Sequence, residues 1–317
     1  MRRSASLAPL LRDAAPALLL VVAVVIINAA SPGFASVDTL MVVMSDTAVL
    51  FILAAAVTFV IMLGGIDLSI QAVASLASVI VAQLLPVIGL AALPAALLAG
   101  LAAGLVSGLV HVRLKVPSFV ATLATGGCVA GLALLAASGR AITILEAGRE
   151  RTAWINGTLL GIPSVIFIAA AVGLLGFLVQ RNTAFGRYSM AIGAGEPAAR
   201  AAGIRVDRVK IAAFAVCGLL SALAGAVLAV RLSSGSPNLA NQLLLPSIAA
   251  VIVGGTAITG GVGHVGRTLV GALFVSIVRI GMIFLGVNIF AQQIVFGVML
   301  ILAVAVTIDR SKIAIVK

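Results

Sequence analysis

The residues of this sequence that could carry out catalysis are few and widely separated. No glycine precedes a lysine, so the phosphate-binding loop of nucleotide hydrolases is missing. His111 and His264 stand alone rather than in a zinc motif, and no Gly-x-Ser-x-Gly nucleophile elbow occurs. Cys128 and Cys217 lie inside apolar runs, which is typical of packing residues. We therefore expect no enzyme activity, metal or cofactor in this chain, and any energy for uphill transport must come from an ion gradient or another subunit.

Three ionisable residues lie within or beside apolar runs, where ionisable groups are costly and are often functional. Asp46 and Arg279 fall inside two runs, and Asp67 lies at the break between two others. Asp67 also directly precedes an apolar run, so helix capping is the alternative to a functional role. For Asp46 and Arg279 the alternative is a pair, or a residue that reaches out from near a helix end.

The longest polar stretch, 181–210, contains the pattern of a short helix. Proline suits the first helical position, a glutamate beside it suits the positive end of the helix dipole, and alanines favour helix. A glycine after them can take the left-handed conformation that ends a helix. A two-turn helix is marginal alone, so we expect a partner surface to support it, a simple connector being the alternative. The predicted docking residues are Glu196, Pro197, Ala199, Arg200 and Gly203.

Polar and flexible residues also flank a short apolar run near residue 250. A short hydrophobic segment that Gly and Pro interrupt often lines a transport pathway, whereas small residues also allow close helix packing. Both interpretations stay open from the residues alone. The flanking groups are Pro237-Asn238, Asn241-Gln242, Gly254-Gly255-Thr256 and Gly260-Gly261.

The composition determines the environment that these residues occupy. Of 317 residues, 62% are hydrophobic and 9% are charged, against about 25% charged residues in a soluble domain. A chain surrounded by lipid must satisfy its backbone hydrogen bonds internally, as helices or as a closed barrel. The long unbroken apolar runs predict an all-α membrane protein rather than a barrel of short alternating strands.

The apolar runs and their breakers predict about ten transmembrane helices in one transmembrane domain over residues 1–317. No polar stretch is long enough for a separate soluble domain of ordinary size. The predicted spans are 14–31, 40–63, 69–85, 89–110, 118–138, 163–180, 211–230, 247–259, 268–286 and 289–308.

The net charge of +11 indicates an orientation in the membrane rather than nucleic-acid binding. With the N-terminus inside, ten spans place fifteen of the 20 Lys and Arg residues on the cytoplasmic side and four outside, with Arg279 within a span. Such an excess of inside positive charge predicts that both termini are cytoplasmic. The stretch 181–210 is then cytoplasmic as well.

Several motifs resemble those of ribose-type ABC importer permeases, in the same order and at similar spacing. The resemblance covers residues from about 37 to about 306, and the family is distantly related to branched-chain amino acid permeases. The matching motifs are Thr58-Phe59-Val60-Ile61 with Gly64-Gly65-Ile66-Asp67-Leu68-Ser69, Phe185-Gly186-Arg187 with Ala191-Ile192-Gly193, Ile248-Ala249-Ala250, Gly254-Gly255-Thr256, and Gln292-Gln293-Ile294-Val295.

The resemblance implies a permease subunit of an ATP-driven importer in the bacterial inner membrane, with the type II-like, ten-helix fold. Its solute would be a monosaccharide or a sugar-like compound, delivered by a periplasmic binding protein. Two permease chains, identical or different, would work on two cytoplasmic ATP-binding subunits, so ATP would bind outside this chain. The segment 196–203 would be the coupling helix that docks on the ATPase. Candidate pathway residues are Asp67, Ser69, Gln71, Asn238, Thr256 and Arg279.

The chain departs from the family pattern at positions that bear on its solute. Gln71-Ala72 stands where Gly-Ser is common, and Leu245-Pro246-Ser247 stands where acidic and polar residues are common. Nucleosides, polyols and branched-chain amino acids are therefore alternative solutes. An ion-coupled transporter that acts without an ATPase is the alternative from another functional class.

Overall fold

The computed structural model describes residues 20–307, with side chains described to residue 305. Arg2, Arg3 and Arg12, the start of the first predicted span and the basic residues after 307 lie outside this part of the chain. The described part is mostly helical. Its helices are α1 (Leu20–Ala30), α2 (Val37–Met62), α3 (Ile70–Ile88), α4 (Ala92–Arg113), α5 (Ser118–Ala136), α6 (Glu146–Arg151), α7 (Ala153–Asn156), α8 (Ser164–Asn182), α9 (Ala184–Ala194), α10 (Glu196–Ala201), α11 (Val206–Arg231), α12 (Leu244–Val253), α13 (Val265–Phe284) and α14 (Ile289–Thr307).

Six apolar helical stretches among the described residues are long enough to cross a membrane. One of them, Ile70–Arg113, is 44 residues long and contains both α3 and α4, which pack against each other. Helices α1 and α12, and the part of α14 up to Ala305, are shorter apolar helices. An all-α membrane protein is therefore confirmed, whereas the count of about ten spans and the cytoplasmic position of the termini stay predictions.

Two predicted helix boundaries are wrong for identifiable reasons. Pro86 does not end α3, because the helix continues through it to Ile88 and ends where Gly89 adopts a φ of 60°. The predicted span 247–259 is too late, since α12 begins at Leu244 and ends at Val253. Pro246 lies in the first turn of α12, where a missing backbone N–H costs no helical hydrogen bond.

Helix α2 lies at the centre of the bundle, which explains why it is apolar on all sides. Every residue from Thr47 to Met62 is buried, and α2 packs against α8, α11, α12 and α13. A helix that is hydrophobic all round is expected in such a position.

Glycines allow α11 to approach its neighbours closely. A Cβ on Gly100 of α4 would lie 2.5 Å from the backbone oxygen of Gly218, and one on Gly225 would lie 2.0 Å from that of Ala74 in α3. Small residues at such crossings favour helix association in lipid, where the hydrophobic effect does not drive helices together.

Two short sheets lie in the connections at one end of the bundle. Strand β1 (Ile142–Thr143) pairs antiparallel with β4 (Ser234–Gly235), so that Ile142 faces Gly235. Strands β2 (Thr158–Leu159) and β3 (Ile162–Pro163) form a hairpin. Helices α9 and α10 occupy the opposite end, because α11 begins beside α10 and ends next to β4.

Candidate coupling segment and polar cavity

The segment 195–204, which we call the α10 segment, adopts the conformation that its sequence predicts. Pro197 lies in the first turn, and Gly203 has a φ of 81°. The Gly203 N–H donates to the Arg200 carbonyl at 3.0 Å, and the Ile204 N–H donates to that of Ala199 at 3.1 Å. These two bonds form a Schellman motif, in which glycine is favoured at the left-handed position. The predicted short helix and its glycine terminus are confirmed.

An ionic network attaches α10 to the start of α11. Glu196 accepts from Lys210 at 2.6 Å and from Arg200 at 2.9 Å, and Arg200 also contacts Asp207 at 2.6 Å. The hydrogen bond from Lys210 lowers the pKa of Glu196 below its usual value against the opposing effect of partial burial, and Arg200 lowers it further. Glu196 is therefore ionised at neutral pH. Exposed pairs are individually weak, but a network of four groups restricts the orientation of α10 more than one pair would.

One side of the α10 segment packs inward and the other is exposed. Ala199 is 5% exposed, and Ile204 packs against the core. Pro197, Ala198 and Arg200 are exposed. Of the predicted docking residues, Ala199 therefore lies on the inward side, whereas Pro197, Arg200 and Gly203 lie on the open side.

Helix α9 connects the α10 segment to two breaks in the bundle. A Cβ on Gly193 would lie 2.0 Å from the Met62 carbonyl and 2.3 Å from the Gly261 nitrogen. The Gly261 N–H in turn donates to the Met62 carbonyl at 2.9 Å. Gly193 of α9 thus contacts the last residue of α2 and the connection after α12, next to the two glycine-rich motifs.

The connection after α2, residues 63–69, is non-helical and largely buried, with Gly64 exposed. The Ile66 and Leu68 N–H groups each donate at 3.0 Å, to the Ser118 and Thr122 hydroxyls of α5 respectively. Asp67 is 1% exposed and accepts from the backbone N–H of Ser69 at 2.8 Å and from its hydroxyl at 2.6 Å. Irregular backbone at membrane depth is tolerated where protein groups satisfy it, as here.

Asp67 does not cap α3 as the capping interpretation predicts. Ser69 is the residue that precedes α3, and its side chain makes no capping bond to the helix. Asp67 instead bonds Ser69 itself, in a turn of the kind that Asp side chains favour. The capping interpretation of Asp67 is therefore wrong, because Ser69 occupies the position before α3.

The connection after α12 is held by a glutamine of α8. Gln180 is 5% exposed, donates to the Gly263 carbonyl at 2.6 Å and accepts from the Val265 N–H at 3.0 Å. Thr256 in this connection is fully buried, and its hydroxyl has no partner among the described residues. The predicted pathway residue Thr256 thus lies within packed protein in this structure.

A cavity of about 600 Å³, which we call the polar cavity, opens at the end of the bundle opposite to α10. Arg279 of α13 is paired with Asp46 of α2, so the paired interpretation of these two residues is confirmed. Arg231, at the end of α11, donates to the Ser45 carbonyl at 2.8 Å. The residues around the cavity are Asp46, Val49, Leu50, Asn156, Leu228, Arg231, Leu232, Ser236, Asn238, Leu239, Gln242, Leu243 and Arg279.

The candidate pathway residues do not form one group. Asn238 and Arg279 line the polar cavity, whereas Asp67, Ser69 and Thr256 are buried in the connections after α2 and α12. Gln71 is half-buried in the first turn of α3.

Three charged residues of the α10 network and the polar cavity could not be identified from the sequence. Lys210 and Asp207 are partners of the α10 network, and Arg231 is a charged group of the polar cavity. In the sequence, an Arg or Lys near the end of an apolar run looks like an ordinary charged residue beside a membrane span, and nothing indicates its partner. No short-range spacing relates Lys210 to Glu196, because the chain reverses at Gly203 between them.

Comparison of the sequence with protein-family models identifies the family of this chain. The model described as "Branched-chain amino acid transport system / permease component" matches residues 39–304. This chain belongs to that permease family. The match, together with the six apolar stretches, makes the chain a multi-pass protein of the bacterial inner membrane.

Two curated relatives of the permease are similar over about nine-tenths of both chains, and a third is similar over about three-fifths. The probable ABC transporter permease protein YphD of Escherichia coli strain K12 is 42% identical over 92% of this chain and 88% of its own. The ribose import permease protein RbsC of Bacillus subtilis strain 168 is 38% identical over 94% and 93%. The L-arabinose transport system permease protein AraH of E. coli strain K12 is 37% identical over 64% and 61%. No solved structure matches the permease.

Proposed function

We propose that this chain is the transmembrane permease subunit of an ATP-driven importer for a monosaccharide or a sugar-like solute. The observation that carries the proposal is the similarity to ribose import permeases, at 38% identity over more than nine-tenths of both chains for the Bacillus subtilis protein. A periplasmic binding protein would deliver the solute. ATP hydrolysis would take place in a separate subunit, and this chain would itself catalyse no reaction.

The proposed contact with the ATP-binding subunit is the exposed side of the α10 segment. The Schellman motif, the contact of Ala199 with the core and the ionic network support this role, because together they hold a short exposed helix in one orientation. A pre-ordered surface loses little conformational entropy when it docks. Pro197 and Arg200 would then face the ATPase. Glu196 would hold the orientation of α10 through the ionic network, and Gly203 would end the helix through the Schellman motif.

Movement of α10 would reach the bundle through α9. The close packing of Gly193 against Met62 and Gly261 supports this route. Because the contacts are with backbone atoms, a movement of α9 would have to move the backbone of these two residues as well. The two connections, residues 63–69 and 254–263, would be the places where helices α2, α3, α12 and α13 change their relative positions. Asp67, Ser69 and Thr256 would act there, next to the pathway rather than at its entrance.

The assembly that we propose has two permease chains, two ATP-binding subunits and a binding protein. The chain would form one transmembrane domain with about ten spans and the type II-like fold, and both termini would be cytoplasmic. The α10 end of the bundle would then face the cytoplasm and the polar cavity would face the periplasm. Candidate solute contacts in this arrangement are Asn238 and Arg279.

Uptake into proteoliposomes tests the proposed function. We expect the permease with its ATP-binding subunit and binding protein to accumulate labelled sugar only with internal ATP and Mg²⁺. Uptake should fall to the background when the P-loop lysine of the ATP-binding subunit is replaced by alanine, because the energy comes from that subunit. Accumulation that survives this replacement, and that an imposed ion gradient drives, would instead establish an ion-coupled transporter.

A further inference from the structure

The polar cavity has an excess of positive charge. Three of its lining residues are charged, namely Asp46, Arg231 and Arg279. Asp46 and Arg279 neutralise each other as a pair whose side chains are 17% and 23% exposed. Arg231 is half-buried and, among the described residues, forms no ion pair, its contact being the neutral Ser45 carbonyl. Asp46 also attracts Arg231, so the two arginines share one carboxylate and the lining keeps one net positive charge.

A half-buried guanidinium that shares its neighbouring carboxylate with a second arginine is energetically unfavourable, and a bound anion would relieve this. Removing a charge from water is costly unless the charge is paired and hydrogen-bonded. Arginine presents five N–H donors in a planar fork that matches a carboxylate. The bond to Ser45 uses one of them.

The remainder of the lining suits a polyhydroxylated molecule. Asn156, Ser236, Asn238 and Gln242 supply amide and hydroxyl groups, which can both donate to and accept from sugar hydroxyls. Leucine and valine side chains cover the rest of the wall and can contact the apolar face of a sugar ring. A volume of about 600 Å³ lies within the range of about 300–1,000 Å³ typical of small-molecule sites.

Residues 236–241, which form one wall of the polar cavity, are held in place by hydrogen bonds. The Ala240 N–H donates to the Ser75 hydroxyl of α3 at 3.1 Å, and the Ser236 N–H donates to that of Ser78 at 3.2 Å. The Asn241 amide donates to that of Asn238 at 3.0 Å, which orients the Asn238 side chain. The polar groups around Arg231 are thus held in place before any solute arrives, as specific recognition requires.

We propose that the polar cavity is a binding site for a monocarboxylated sugar, such as an aldonate or a uronate, with Arg231 as the carboxylate anchor. This proposal rests on the proposed function and narrows its substrate class. One negative charge on the solute balances the excess charge of the cavity, and the hydroxyls bind the amides. The Asp46–Arg279 pair lies beside the carboxylate site and keeps the local charge at +1 rather than +2.

Ligand-observed NMR on the purified permease in nanodiscs tests the site without any partner subunit. The probes are matched pairs that differ only in the acid group, namely galacturonate with galactose, glucuronate with glucose, and ribonate with ribose, together with glucose 6-phosphate. We expect an acid to bind about tenfold or more tightly than its neutral partner, which corresponds to one charge-assisted hydrogen-bonding group. Binding of neutral sugars as tight as that of the acids would overturn the proposal, as would absence of acid binding at millimolar concentration. Tighter binding of glucose 6-phosphate than of every acid would overturn the carboxylate assignment.

Variants of Arg231 separate charge recognition from a general effect on the fold. Arg231→Gln should remove the preference for the acid, and Arg231→Lys should retain part of it. Arg140→Gln, at an exposed loop arginine that does not line the cavity, is the matched control and should bind like the unaltered permease. An unchanged acid preference in Arg231→Gln would overturn the proposal. Equal melting temperatures of the variants show that the fold is intact, and the comparison of acid with neutral sugar within each variant removes any residual stability effect.

The proposed function and this inference fail in distinguishable ways. ATP-driven uptake of a neutral sugar without preference for its acid would leave the importer function standing and remove the inference. Absence of ATP-driven uptake of every sugar and every acid, with acid binding by the isolated chain intact, would remove the importer function alone.

Discussion

Replacing Glu196 with lysine is expected to reduce co-purification of the ATP-binding subunit by about tenfold or more while leaving membrane insertion unchanged. The variant removes the acceptor of both Lys210 and Arg200 and places a third cation beside them. A lysine in the first turn of α10 also opposes the helix dipole. A loss of about 1.4 kcal/mol in docking free energy is enough for a tenfold effect. The measurement is the amount of ATP-binding subunit retained on affinity-tagged permease from detergent-solubilised membranes.

The charge swap supplies the control for this result. Glu196→Lys combined with Lys210→Glu restores an opposite-charge pair at the same two positions, so docking should recover in part. Glu150→Lys introduces the same charge change at an exposed position of α6, at the other end of the bundle, and should dock normally. Full retention of the ATP-binding subunit by the Glu196→Lys permease would contradict the assignment of α10 as the docking element.

Replacing Gly225 with leucine is expected to prevent correct packing of the bundle. A Cβ at this position would lie 2.0 Å from the backbone oxygen of Ala74, so α3 and α11 would have to separate along their contact. Overpacking in a core typically costs about 1–3 kcal/mol, and a clash with backbone belongs at or above the upper end of that range. The measurement is the elution profile and thermal midpoint of a fluorescently tagged permease in detergent, where we expect aggregation or a strongly lowered midpoint.

Gly127 on α5 is the matched control for this experiment. A Cβ at Gly127 would have no heavy atom within 4 Å, and the residue is exposed. Gly127→Leu should therefore elute as a single species with an unchanged or raised midpoint, since leucine favours helix more than glycine does. Normal elution and stability of the Gly225→Leu permease would show that the packing of α3 on α11 is wrong.

Elements whose conformation depends on residues close in the sequence could be predicted from the sequence. The α10 segment is the clearest case, because proline at its start and glycine at its end each satisfy a requirement of a helix terminus, and the Schellman motif is present where expected. The apolar runs likewise coincide with helices, since lipid leaves the backbone no other way to satisfy its hydrogen bonds within a single segment. A paired state is one of the alternatives that the sequence leaves open for Asp46 and Arg279, and in the structure the two residues pair with each other.

The remaining features depend on contacts that sequence spacing does not encode. Pro86 would be read as the end of a helix from its chemistry alone, yet α3 continues for two residues beyond it. Arg231 belongs to the polar cavity because α11 ends next to α2, which places its guanidinium against Ser45, 186 residues earlier in the chain. The buried connection 63–69 similarly depends on Ser118 and Thr122 of α5, whose hydroxyls satisfy backbone groups more than 50 positions away.

The side of the membrane on which the α10 segment lies is the most direct test of its proposed docking role. A docking element for a cytoplasmic ATPase must lie inside the cell. Ala198 is exposed on α10, and Leu160 is 91% exposed at the opposite end of the bundle. In a background without Cys128 and Cys217, Ala198→Cys and Leu160→Cys are each treated with a membrane-impermeant maleimide. We expect Leu160→Cys to react in intact spheroplasts, and Ala198→Cys to react only in inverted vesicles and to be protected by the ATP-binding subunit. Reaction of Ala198→Cys in intact spheroplasts would contradict the proposed docking of α10 on a cytoplasmic ATPase.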